Sequence, residues 1–145
     1  MAITYAEIKH RLTDLGFEED DVTESEYKRI FINSLNRAGE MIYASVMLPT
    51  EDYIRKLSGI DYEDEDGESI PLTAITKITE DTSDDDEIQI PDIIVPLYTL
   101  LAAHYAWLDD DLTKAMIYWN EYDSHKNELI AAARTPKRAT IIGGF

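Results

Sequence analysis

Apolar residues recur at helical spacing near both ends of the chain and alternate with polar ones in the middle. Tyr5, Ile8, Leu12 and Leu15 form the first stripe. Thr4 and Glu7 precede it at capping-box spacing, and Gly16 stands where a left-handed C-terminal cap belongs. Together they predict a helix over about 4–15. A second stripe, Tyr27, Ile30, Phe31, Leu35, Ala38, Met41 and Ile42, predicts a longer helix over about 24–46, again with a capping-box pair, Thr23 and Glu26. Gly39 lies inside it, where either close approach of another backbone or chance accounts for it. Pro49 ends it.

Residues 50–58 read either as a short helix carrying Tyr53, Ile54 and Leu57 or as an edge strand. Ile75 and Ile78 then alternate with Thr73, Thr76 and Thr79, and Ile88-Gln89-Ile90 alternates up to Pro91; both are strand signals. The middle third, about 50–90, therefore predicts a small β insertion. The last third returns to helix. Leu97, Leu100, Leu101, His104 and Leu108 share a face, while Ala102, Ala103 and Ala106 leave room for a neighbour. Pro96 belongs in or before the first turn. Asp109-Asp110-Asp111 supplies a tight turn and an N-cap. Leu112, Ala115, Met116, Trp119, Tyr122, Leu129, Ile130 and Ala133 form the apolar side of the final helix. The two make an antiparallel hairpin. The expected fold is α+β and mainly helical. It is a single domain over 1–135, with a four-helix body, an inserted β element and an extended C-terminal tail over 136–145.

Composition narrows the function classes. The chain has 145 residues with 44% hydrophobic, enough for one self-sufficient core. No Cys is present, which excludes disulfides, thiolate metal sites and thiol nucleophiles. With 13 Lys+Arg against 30 Asp+Glu the net charge is −17, which opposes binding to nucleic acid and to anionic membranes. No apolar run reaches membrane-spanning length. Met1-Ala2-Ile3-Thr4-Tyr5 lacks the features of a signal peptide. The charge is unevenly divided. All 30 acids fall within residues 1–128, whereas 129–145 carries only Arg134, Lys137 and Arg138. A basic tail on an acidic body suits an acidic partner, a second copy included.

Twelve of the acids fall in two runs, 61–68 and 80–87, each with six carboxylates in eight positions. Setting Gly67 at position 6 of a calcium loop places Asp64 and Asp66 correctly, but position 1 becomes Tyr62 and position 12 becomes Thr73, so two essential ligands are lost. Asp84, Asp85 and Asp86 form the second run and have no basic residue placed to grip a phosphate beside a metal. His10, His104 and His125 fall on three different predicted helices without metal-ligand spacing, and His104 reads as a satisfied core or interface histidine. No nucleophile elbow or phosphate loop occurs. The reading assigns no catalytic residue, cofactor or metal. Two features remain. Tyr105, Trp107 and Tyr118 fall off the apolar stripes and read as core or as subunit interface. The tail reads as a free end or as a docking peptide: Lys137 and Arg138 pair with acids, Thr140-Ile141-Ile142 adds a strand to a sheet edge, and Phe145 fills a pocket.

The order of elements over roughly 23–130 resembles the head–tail adaptor (head–tail connector, or head-completion) proteins of long-tailed bacteriophages. The residues that carry the resemblance are Glu87-Ile88-Gln89-Ile90-Pro91-Asp92, then Leu100-Leu101-Ala102-Ala103, Trp107-Leu108-Asp109-Asp110-Asp111, Ala115, Trp119-Asn120 and Tyr122. The resemblance implies a structural virion subunit, assembled in the host cytoplasm. It would sit in a ring, twelvefold on the portal, between the portal and a tail-side neck protein. It further implies that Arg134, Lys137, Arg138, Ile141, Ile142 and Phe145 dock into the portal, and that DNA passes through the channel without sequence-specific binding. Either acidic run suits the lumen, the tail side or solvent. Two other readings fit the charge: an acidic DNA mimic that occupies a DNA-binding protein, and another tail-completion module.

Overall fold

A computed structural model describes residues 2–18, 25–58 and 72–134. It is mainly helical with a small two-stranded sheet. The elements in chain order are β1 (Ala2–Thr4), α1 (Tyr5–Asp14), α2 (Ser25–Ile42), α3 (Glu51–Ser58), β2 (Glu87–Gln89), α4 (Val95–Trp107) and α5 (Leu112–Arg134). The acidic run at 61–68 and the C-terminal residues 136–145 lie outside the described residues.

Local signals set most helix ends. The Thr4 hydroxyl accepts the Glu7 N–H at 3.3 Å, so α1 starts on the expected cap. Gly16 stops it with φ +93°, a conformation that residues with a Cβ rarely adopt. Asp111 caps α5 by accepting the Lys114 N–H at 3.1 Å. Pro96 sits in the first turn of α4, where its missing N–H costs nothing.

The predicted second helix has the expected extent, but its last turn is wider than an α-turn. Regular helix ends at Ile42, and Tyr43–Met47 forms a wider π-helical turn in which the Leu48 N–H reaches the Tyr43 carbonyl at 3.0 Å. Pro49 explains the widening, because its ring crowds the carbonyl four residues back and it has no proton to donate. Residues 51–58 are helical, which resolves the open choice there and gives five α-helices among the described residues instead of four.

The β element also differs from the expected insertion. Residues 72–79 join no sheet. Side chains satisfy them instead. The Asn36 amide donates to the Ile78 carbonyl and accepts the Ile78 N–H, both at 2.8 Å. The Tyr43 hydroxyl donates to the Leu72 carbonyl at 3.2 Å. The predicted strand at 88–90 does pair, but with the first residues of the chain: β1 and β2 are antiparallel, with Ile3 opposite Ile88.

α4 is the centre of the molecule. It is apolar on nearly every side and buries Leu97, Tyr98, Leu100, Leu101, Ala102, Ala103 and Ala106. α2 and α5 each pack on α4 far more than on each other. α1 and the 72–79 segment close the remaining sides.

Candidate functional site

The hairpin of α4 and α5 holds the aromatic residues singled out from sequence, and the structure distributes them over two sides. Trp107 stacks on Phe17 with ring centres 4.7 Å apart, and the Lys114 ammonium lies 4.3 Å from its ring centre. The Tyr118 hydroxyl donates to the Leu15 carbonyl, tying α5 to the end of α1. Burial pushes its hydroxyl pKa up, and the Glu121 charge adds to the rise. Tyr105 lies on the other side of α4, with the Arg37 guanidinium 4.1 Å from its ring centre. All three are partly buried and packed against the core. Each spends one surface inside the chain. His104 is buried beneath them, and its Nδ1 donates to the Ala115 carbonyl at 2.8 Å. That bond holds the two arms of the hairpin together and fixes the tautomer.

The second acidic run is built against the start of α1. The Asp86 carbonyl accepts the Tyr5 N–H at 3.0 Å and the Asp84 carbonyl accepts the Ala6 N–H at 3.1 Å. These are donors with no partner inside the helix. The Asp84 carboxylate pairs with Lys9. The Asp86 carboxylate accepts the Ser83 N–H at 2.8 Å, and this bond holds its carboxyl below the usual range. Asp85 is exposed. Negative charge here also faces the positive end of the α1 dipole. Two of the three aspartates thus do structural work. Asp64 and Asp66, in the first run, lie outside the described residues.

Of the tail residues, only Arg134 is described. It is exposed at the end of α5 and borders a cleft lined also by Ser45, Leu48, Glu51, Asp52 and Ile130. Glu51 accepts the Arg55 guanidinium at 2.6 Å and the Leu72 N–H at 3.3 Å. The Arg55 bond is the main cause that holds its carboxyl below the ordinary value. Lys137, Arg138, Ile141, Ile142 and Phe145 lie outside the described residues.

The structure also shows what sequence reasoning missed. Burial pushes the Tyr5 and Tyr98 hydroxyl pKa values upward, and both hydroxyls lack a hydrogen-bond partner among the described residues. Arg37, which covers Tyr105, gave no sequence signal because its partner lies 68 positions away. Among the described residues no group of three or more His, Asp or Glu side chains is arranged to hold a metal ion. No described helix is long and apolar enough to cross a membrane. Comparison with known proteins adds no relative: no family model, no curated protein and no solved structure matches the chain.

Proposed function

We propose that this chain is a structural subunit of a phage neck, assembled as a ring between the portal and the tail, with a C-terminal segment that docks on the portal. The observation that carries this reading is the division of charge. The body up to residue 128 holds all 30 acids, and the only cations beyond it are Arg134, Lys137 and Arg138, set among Ile141, Ile142 and Phe145. An acidic body offers a duplex no counterion-releasing contacts, so DNA slides past it. A basic, apolar segment suits pairing with acids and strand addition on a partner. The helical hairpin, with Pro91 opening a short 3-10 turn (Asp92–Ile94) ahead of α4 and Asp111 capping α5, supports the order of elements on which the resemblance rests.

Removal of residues 136–145 tests the reading. We expect a stable complex of the full chain with the portal encoded beside it, lost on truncation while the thermal melt of the body is unchanged. Retained binding overturns tail docking. Capture by a basic DNA-binding protein in place of any portal, at low salt and without need of the tail, shifts the reading to the DNA mimic.

A further inference from the structure

Two clefts run beside the C-terminal half of α5 and share Tyr53 as a wall. The first, about 380 Å³, lies between α5 and the start of α3; Leu48, Glu51 and Asp52 line it together with Ile130, Ala133 and Arg134. The second, about 370 Å³, lies between α5 and the turn that opens α4; Ile93, Pro96 and Leu97 line it together with His125, Glu128 and Leu129. Both volumes are in the range of binding pockets. Each cleft exposes a large apolar side chain, Leu48 at 47% in the first and Ile93 at 38% in the second. Ile54, fully buried next to Tyr53 on α3, pins the shared wall.

The charges that line the clefts are three carboxylates and one guanidinium, with His125 beside Glu128. Glu51 is answered within the chain by Arg55 and the Leu72 N–H. Asp52 and Glu128 are exposed and make no ion pair among the described residues. Against these two stands Arg134 alone. The chain beyond Arg134 carries what the clefts lack: two cations, Lys137 and Arg138, and then two isoleucines, Ile141 and Ile142. It also starts at the right place, because Ala133 and Arg134 already line the first cleft. Pro136 brings no N–H with which to prolong α5.

Reach allows the match. Glu128 lies six residues before Arg134, about 9 Å back along the helix axis. Lys137 and Arg138 follow Arg134 by three and four residues, an extended span of about 10–14 Å. A segment tethered this closely has an effective concentration of about millimolar, which favours its own cleft over that of another molecule. We propose that in the free subunit residues 136–145 fold back into these clefts, with Lys137 and Arg138 on Asp52 and Glu128 and with Ile141 and Ile142 against the Ile93 wall. These are the residues that the neck reading gives to the portal, so the same contact holds the docking segment back until the portal competes for it. That consequence rests on the neck reading; the fold-back itself does not.

Disulfide trapping in the full chain tests the assignment, and the absence of native Cys makes any introduced pair unique. Thr140→Cys is combined with Ile93→Cys in the second cleft, or with Asn127→Cys, which is exposed on α5 at similar tether length and lines neither cleft. We expect a closed monomer to form about 10-fold or more faster with position 93 than with position 127, the gain in effective concentration that occupancy gives. Asp52→Lys/Glu128→Lys should bring the two rates together with an unchanged melt, since both side chains are exposed. Adding Lys137→Glu/Arg138→Glu should restore the preference. Equal rates at 93 and 127, or a preference that survives charge reversal, overturns the fold-back. Disulfide-linked dimers in place of the closed monomer give the clefts to the tail of a second copy and overturn it as well. Excess portal should slow the reaction at 93 to the rate at 127. Portal capture that is lost on truncation, with equal rates at the two positions, overturns the fold-back and leaves the neck reading standing. Preference for position 93 without any portal binding supports the fold-back and overturns the neck reading.

Discussion

Two glycines in or beside helices have opposite roles. Gly39 lies mid-helix in α2, where a Cβ would meet Ile75 at 3.5 Å and Tyr98 at 3.6 Å, ordinary contact distances. Close packing therefore does not demand glycine there, and the neighbours are side chains and not the backbone that the sequence suggested. Gly16 is different: its φ of +93° is costly for any other residue. Gly39→Ala should therefore stabilise the protein by about 0.5–1 kcal/mol, the helix-propensity difference, in urea unfolding. Gly16→Ala should destabilise it by about 1 kcal/mol. A loss at Gly39 would mean that Ile75 cannot shift. Gly16 was legible as a cap from its place after a helical stripe. The freedom at Gly39 was not, because it depends on residues brought in from 75 and 98.

The element that sequence reading misjudged is the 72–79 segment. Its Thr and Ile residues are β-prone, but Leu72, Ile75 and Ile78 are buried every third position, whereas a strand alternates every second. β-branched composition reports a preference for non-helical backbone; it does not report the period or what takes the backbone hydrogen bonds. Here Asn36 takes them at Ile78, acting as a one-residue substitute for a neighbouring strand. Asn36→Ala should cost about 1–3 kcal/mol, because it strips a buried N–H and carbonyl of their partner. Asn36→Asp should recover only part of this, since a carboxylate accepts the N–H but does not donate to the carbonyl. Equal stability of Asn36→Ala and wild type in denaturant melts would show that water replaces the amide. The true partner of β2 is β1, three residues at the other end of the chain, too short to carry a strand signal.

At the scale of the molecule, net charge sets the balance. A chain at −17 repels itself when folded, and its described ion pairs are few and mostly exposed. Exposed pairs are worth little, whereas repulsion among many like charges adds up. Raising sodium chloride from about 20 mM to about 500 mM shortens the Debye length from roughly 20 Å to under 5 Å, so the melting temperature should rise. A fall would mean that pairs such as Lys9–Asp84 outweigh the repulsion.

The sequence by itself determined that helices occupy about 4–15 and 24–46 and form a hairpin in the last third, that Thr4 and Gly16 cap the first of them and an aspartate of 109–111 the last, and that an acidic body carries a basic end. These are written in residues a few positions apart, where periodicity, capping and net charge operate. Tertiary structure decided the pairing of β1 with β2, the side-chain partnering of 72–79, and the burial of α4 on nearly all sides. It also decided which flanks of α2 and α5 their own chain covers and which remain open. A helix records in its sequence which positions are apolar. Whether an apolar flank meets the same chain or is left open depends on contacts that span tens of residues, and no local pattern encodes them.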